Sequence, residues 1–140
     1  MVEKYVIRSR RNWLLSSLAL ALLAGCDNGP VVSSVKGTVS LDGRPLPNAT
    51  LVFTPEAGGR SSLGRTDDNG LYNLLFTPGK EGALVGDMRV RITVAEEYQD
   101  SRDRTHIRPE KVPAKYNEKS ELVVTVEPKD NVIDFDLQSK

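Results

Sequence analysis

Short alternating runs of apolar residues recur from residue 35 to the end of the chain, and they limit the fold more than any other feature. Gly, Pro, Asn and Asp separate the runs, and these are the residues that turns require. A period of two places every second side chain on one face of a β-strand, as in Val35, Val39 and Leu41. The pattern therefore predicts an all-β domain.

Seven strands are predicted from these runs. They cover 35–41, 49–54, 62–66, 71–76, 88–94, 122–126 and 132–137. Asp42-Gly43 predicts a tight hairpin turn after the first strand, and the last two strands are expected to pair as a hairpin through a turn at 128–131. Seven short strands with regular turns are typical of a β-sandwich.

The charged stretch from Glu96 to Glu110 has few apolar residues and is predicted to be an exposed loop. Residues 56–61 and 77–86 are predicted as further loops, because turn formers interrupt the strand pattern there.

The first 25 residues differ in character from the rest of the chain. Residues 1–12 hold four Lys or Arg against Glu3, and Trp13–Ala24 is a mostly apolar run. A membrane-spanning helix needs about 20 apolar residues, so this run is too short for a permanent span. A helical secretory signal peptide over residues 1–25 is favoured over a short buried helix of the domain.

The only cysteine stands directly after this leader. Leu23-Ala24-Gly25-Cys26 resembles the bacterial lipobox, which implies cleavage before Cys26 and lipidation of its thiol. Two small residues let an extended chain enter a protease site, and a thiolate is the nucleophile that accepts the lipid. An ordinary signal peptide with an incidental cysteine is the alternative. Asp27 resembles an inner-membrane retention signal of some bacteria, so both the inner and the outer membrane stay open.

The resemblance gives an address and a spacer. Residues 26–34 are expected to be a lipidated N-terminus and flexible tether, and 35–140 the folded domain. The domain is then extracytoplasmic and held on a bacterial membrane by the lipid on Cys26.

The charge balance excludes one class of partner. Residues 26–140 hold 15 Lys and Arg against 18 Asp and Glu, a formal charge of −3. Binding to a phosphate backbone needs a basic face, so nucleic acid is not expected as a partner.

A second resemblance concerns the domain. Segments 35–49 and 64–72 are similar to carboxypeptidase-regulatory-like domains, which are transthyretin-like (prealbumin-like) sandwiches. The second segment matches the G-x-T-D-x-x-G-x-Y hairpin of that family at Gly64, Thr66, Asp67, Gly70 and Tyr72. The resemblance implies a seven-stranded Greek-key β-sandwich, and segments 112–116 and 135–137 are similar to a lipoprotein subgroup of it. The motif itself is expected to be structural, with Tyr72 packed in the core and Thr66 and Asp67 bonded to turn amides.

No catalytic residue, metal site or cofactor is predicted. A zinc site needs three protein ligands, and the chain has one histidine, His106, within the charged loop. Asp67, Asp68 and Asn69 lack the further carboxylates of a calcium loop, and no G-x-S-x-G element is present. Enzymes of this fold that act on a purine-breakdown product end in Tyr-Arg-Gly-Ser, unlike this chain.

The sequence thus favours a non-catalytic, lipid-anchored envelope module that contacts an envelope protein or a glycan. The alternative is a small-molecule-binding or hydrolytic protein that uses the loops at 56–61, 77–86 and 96–110.

Overall fold

The structure is a computed structural model and describes residues 29–140. The predicted signal peptide at 1–25 and the lipidation site, with Leu23, Ala24, Gly25 and Cys26, lie outside the described residues. Fourteen strands and one short 3-10 helix follow one another along the described part of the chain. In order they are β1 Val32–Ser33, β2 Val35–Leu41, β3 Arg44–Pro45, β4 Thr50–Pro55, β5 Ser62–Arg65, β6 Leu71–Thr77, β7 Lys80–Glu81, β8 Ala83–Leu84, β9 Gly86–Thr93, β10 Glu96–Gln99, β11 Thr105–Arg108, the 3-10 helix Ala114–Tyr116, β12 Val123–Val126, β13 Asn131–Val132 and β14 Phe135–Leu137.

The strands form a curled β-sandwich, which confirms the predicted fold class. Hydrogen bonds join them in the order β12-β9-β4-β5-β6-β2-β13, and β14 also pairs with β2. β5 pairs with β4 over four residues but with β6 only at Leu63 and Gly64. The path therefore curls at β5, so that β12, β9 and β4 face β6, β2 and β14 across the core.

The core lies between these two layers. Phe53 of β4, Tyr72 of β6 and Phe135 of β14 meet there, with ring centroids 6.1–6.4 Å apart. β9 shows the alternation expected from its sequence, because Met88, Val90 and Ile92 are fully buried. Such rings bury a large apolar area and prefer tilted or edge-to-face contacts, so this trio joins the two layers.

The predicted hairpin between the last two strands is wrong. β12 pairs with β9, whereas β13 and β14 pair with β2 and run parallel to it. The chain changes layers at Asn131, whose side-chain amide donates to the carbonyls of Ser34, Glu127 and Lys129. These bonds hold the chain where it crosses to the other layer, so the turn residues at 128–131 do not return it to β12.

The stretch predicted as a charged loop is also different in the structure. β10 and β11 form an antiparallel hairpin in which Glu96 is opposite Arg108 and Tyr98 is opposite His106. At its turn, Asp103 has a φ of 59°. The apolar alternation of a core strand is missing because the hairpin forms its own two-stranded sheet.

Part of the predicted tether is folded as well. Val32 and Ser33 of β1 pair with Leu84 and Ala83 of β8. The turn predicted at Asp42-Gly43 is present, with φ of 51° and 75°, but it joins β2 to the short β3 and not to β4. The following strand, β4, belongs to the opposite layer.

Candidate functional site

The hairpin motif between β5 and β6 is built by one carboxylate and one glycine. The Asp67 carboxylate accepts the backbone N–H groups of Asn69 at 2.8 Å and of Leu71 at 2.9 Å. Gly70 takes a φ of 76°, and a Cβ there would lie 2.5 Å from the Val39 carbonyl oxygen. A left-handed conformation and a close backbone approach both favour glycine, so these two residues serve the turn.

Thr66 joins the motif to the segment before β4. Its hydroxyl donates to the Leu46 carbonyl at 2.6 Å and accepts the Ala49 N–H at 2.8 Å. The sequence predicted bonds to the amides of its own turn, and the structure places both partners outside that turn.

Tyr72 and Gly64 complete the motif inside the sandwich. The Tyr72 hydroxyl donates to the Ile133 carbonyl at 2.6 Å, and burial, followed by the charge of Asp134, raises the pKa of this phenol above its usual range. Gly64 leaves room for Leu74, because a Cβ at position 64 would lie 2.8 Å from the Leu74 side chain. The side chains of Thr66, Asp67 and Tyr72 thus each bond backbone groups of the fold, so these three residues serve the structure of the sandwich.

A groove of about 780 Å³ lies on the outer face of the layer that contains β6 and β2. We call it the outer groove. It is lined by Lys36, Gly37, Thr38, Arg65, Asp67, Leu71, Tyr72, Asn73, Leu75, Val132 and Asp134. Leu71 and Leu75 are half exposed and Val132 is 66 % exposed, so apolar side chains face water there. Ligand and partner sites commonly combine apolar side chains with a few polar groups in a concave surface, so the outer groove is the candidate binding surface.

Polar donors cross the floor of the outer groove. Lys36 is opposite Asn73 in the β2–β6 ladder, and Arg65 follows Gly64, which is opposite Leu74. Direct neighbours across a sheet lie about 5 Å apart. The groove therefore combines aliphatic side chains with a short row of hydrogen-bond donors and with two carboxylates, Asp67 and Asp134, that accept backbone N–H groups of the fold.

The Arg65 guanidinium forms an ion pair with the Glu96 carboxylate. Both of its terminal nitrogens donate to Glu96 at 2.7 Å, and Arg108 donates to the same carboxylate at 2.6 Å. The bond from Arg65 is the main reason that the pKa of Glu96 lies below its ordinary value. Lys36 forms no ion pair within residues 29–140. In this part of the chain, Lys36 is thus the groove cation that is open to a ligand.

The single histidine lies on the hairpin formed by β10 and β11. The rings of His106 and Tyr98 stack with centroids 5.4 Å apart, and the Arg108 guanidinium is 5.2 Å from the Tyr98 ring. His106 lies 3.1 Å from Asp100, which also accepts Arg104. The bond from Arg104 is the largest of the causes that lower the pKa of Asp100 to about 2. These contacts join side chains of the two strands and of their turn, and they stabilise the hairpin.

The three loops proposed for a small-molecule site lie at opposite ends of the sandwich. Residues 56–61 and 77–86 are at the end where β4 and β6 finish and β5 and β9 begin. Residues 96–110 follow the other end of β9. One site cannot include all three loops.

The outer groove was not predicted from the sequence. The alternation in β6 places Leu71 and Leu75 on the outer face of the strand, whereas Tyr72 faces the core. These two outward leucines were the signal in the sequence that could have indicated the groove.

Metal and membrane features were sought over residues 29–140. Within this range no group of three His, Cys, Asp or Glu side chains could hold a metal ion. No helix of the described part is long and apolar enough to cross a bilayer.

The chain matches no protein-family model and no curated protein. Two solved structures are similar to it. A 9R-lipoxygenase from Cyanothece PCC8801 has 17% identity and a TM-score of 0.40, over 74% of this chain and 16% of that one. BcpA, the major pilin subunit of Bacillus cereus, has 13% identity and a TM-score of 0.43, over 78% of this chain and 30% of that one. The chain thus spans less than a third of either neighbour, and neither likeness bears on function.

Proposed function

We propose that this protein is a non-catalytic, lipid-anchored module of a bacterial cell envelope that binds another envelope protein through the outer groove. The observation that carries the proposal is the groove itself, in which half-exposed Leu71 and Leu75 flank a row of polar donors.

The sequence before the domain supports the anchor. Leu23-Ala24-Gly25-Cys26 follows a basic and then an apolar segment, in the order of a lipoprotein signal. Each buried methylene contributes about 0.8 kcal/mol to membrane binding, and a single chain binds only marginally. Two or three acyl chains on Cys26 would hold the protein on its membrane without a spanning helix.

The strand arrangement supports the finer family assignment. The two layers of the curled sandwich agree with the transthyretin-like sandwich that the motif resembles, and the residues from Gly64 to Tyr72 form the tight β5–β6 connection. In carboxypeptidases such a domain is an appended module, which agrees with a binding role for this one.

The chemistry of the groove favours a protein partner over a glycan. Its exposed apolar side chains are aliphatic, and its one aromatic residue, Tyr72, is buried. Protein interfaces bury an apolar centre surrounded by polar contacts. A segment with apolar side chains against Leu71 and Leu75, and with a carboxylate opposite Lys36, would contact the half-exposed leucines and the groove cation that forms no ion pair within residues 29–140.

Site-specific photo-crosslinking in the intact envelope tests this proposal. A photoreactive residue in place of Leu71 should give one discrete adduct, and Lys36→Glu in the same chain should abolish it. Val123 is exposed to a similar degree on β12 of the other layer and provides the matched control position. The same adduct from Val123, or an adduct at Leu71 that Lys36→Glu leaves unchanged, would exclude the groove as the binding surface.

The anchor has an independent test. Cys26→Ala is expected to abolish fatty-acid labelling and to leave uncleaved precursor, because the thiol that accepts the lipid is gone. Normal labelling of that variant would end the lipoprotein assignment.

A small-molecule ligand is the second candidate for the groove. Its volume falls within the range of about 300–1,000 Å³ found for ligand sites. A ligand at 100 times its Kd would stabilise the fold by about 2.7 kcal/mol, so thermal shift against anionic amphiphiles separates the two candidates. A shift that Lys36→Glu removes would favour the small molecule.

A further inference from the structure

The chain is held in place from Val31 onward, only a few residues after Cys26. Beyond the pairing of β1 with β8, the Val85 N–H donates to the Val31 carbonyl at 3.0 Å. Gly82 allows the close approach of Ser33, because a Cβ would lie 2.1 Å from the Ser33 carbonyl oxygen. Five residue steps from Cys26 to Val31 span at most about 18 Å.

This short connection reaches one end of the sandwich only. The chain enters where β2 begins, and the loops at 56–61 and 77–86 lie at this same end. We call it the anchor end. The β10–β11 hairpin leaves from the far end of β9, which is 8 residues long. At about 3.3 Å per residue the two ends are roughly 26 Å apart, farther than the connection can reach.

The anchor end presents apolar side chains where the chain enters. Val31 and Val85 are neighbours through their backbone bond, and they are 61% and 36% exposed. The transfer of apolar side chains from water to the boundary between lipid headgroups and acyl chains is favourable. The loops at 56–61, 77–86 and 127–130 carry three Lys or Arg and four Asp or Glu, so the contact does not depend on attraction to anionic lipid.

We infer that the sandwich rests on the lipid surface through Val31 and Val85, with the β10–β11 hairpin directed away from the membrane. The inference depends on the proposed lipid at Cys26, and the partner is the bilayer that holds this lipid. The outer groove runs along the side of the sandwich and is then open to a neighbouring envelope protein.

Fluorophores at two exposed aliphatic positions of the full lipidated protein test the orientation. Val85→Cys reports the anchor end, and Ile107→Cys is the matched control on the hairpin, where the side chain is 78% exposed. Cys26 carries the lipid, so each variant has one free thiol. In phosphatidylcholine vesicles, a quencher fixed in the headgroup layer should quench the label at position 85 several-fold more than the label at 107.

Flotation of the vesicles and the mass of the Cys26 peptide separate the two ideas. A protein that carries no lipid and does not float overturns the proposed anchor and this inference with it. A lipidated protein that floats but is quenched equally at both positions overturns the orientation alone. Quenching at position 85 that high salt releases would also contradict it, since the contact is not electrostatic.

A longer connection supplies the second variant. About twelve Gly and Ser residues inserted between Asn28 and Gly29 add a flexible spacer of roughly 20 Å. The ratio of quenching at 85 to quenching at 107 should then fall toward one, because the domain is free to turn. A ratio that stays unchanged would show that the short connection does not set the orientation.

Discussion

The crossing of Ile133 over Gly37 leaves less space for an added atom than any other glycine contact among residues 29–140. A Cβ at position 37 would lie 1.9 Å from the Ile133 carbonyl oxygen and 3.1 Å from the Asp134 carboxylate. Gly37→Ala therefore forces segment 133–134 away from β2 by about 1 Å or more before the overlap is relieved.

The cost follows from the hydrogen bonds at this crossing. Ile133 accepts the Tyr72 hydroxyl at 2.6 Å and donates to the Lys36 carbonyl at 2.8 Å. Asp134 accepts the Thr38 backbone N–H at 2.7 Å. Each bond contributes about 1 kcal/mol net, so the loss of all three lowers the free energy of unfolding by about 3 kcal/mol. For a domain of this size that lowers Tm by about 13 °C.

Thermal unfolding followed by circular dichroism measures the effect. Tyr72→Phe is the graded companion variant, because it removes one bond and should lower Tm by about 4 °C. The double variant should be less destabilised than the sum of the two, since Gly37→Ala has already broken the Tyr72 bond. A Gly37→Ala protein within about 4 °C of the parent, or full additivity, would refute this reasoning.

Three further outcomes are expected. The Ser62 hydroxyl is buried without a hydrogen-bond partner in the described part of the chain. Ser62→Ala should therefore raise the free energy of unfolding, measured by urea titration, by about 1 kcal/mol, and a lower free energy of unfolding would show that the hydroxyl is bonded. The Glu110 carboxylate accepts the N–H groups of Val94, Ala95 and Val112, among others, so Glu110→Ala should cost about 2 kcal/mol in thermal unfolding, and a neutral result would contradict these bonds. The pKa of Asp100 is lowered to about 2 in the folded protein, against a pKa of about 4 in the unfolded chain. Its carboxylate therefore stabilises the folded hairpin above about pH 4, and this stabilisation is lost as the pH falls toward 2. An NMR titration of the Asp100 carboxyl with a midpoint near pH 4 would contradict this prediction.

The outer groove and the hairpin show why sequence reasoning reached the fold but not the candidate site. Alternation finds a buried face because one face of a strand must leave water. Leu71 and Leu75 are apolar but lie on the solvent-facing side of their strand. Whether they form part of a binding surface depends on the neighbouring strand, which alternation does not identify. Lys36 reaches the same groove through pairing between β2 and β6, which no local pattern encodes.

The hairpin formed by β10 and β11 was not predicted from the sequence for a related reason. Its pairs, Glu96 with Arg108 and Tyr98 with His106, join charged and aromatic side chains across strands. Period-two analysis registers only the apolar face that a core would bury, and this hairpin has none. Its charges therefore predicted a loop.

The sequence by itself determined the all-β character of the domain, the inward face of β9 and the tight turn at Asp67 to Gly70, because each depends on neighbours within a few residues. The same local logic predicts the leader and Cys26. Tertiary structure alone decided that β13 and β14 run parallel to β2, that Gly37 lies under Ile133, and that Arg65 joins the sandwich to the hairpin through Glu96. These contacts connect residues up to 96 positions apart, as at the crossing of β2 by segment 133–134. They depend on which layer each strand enters, and neither composition nor the period of the sequence specifies that.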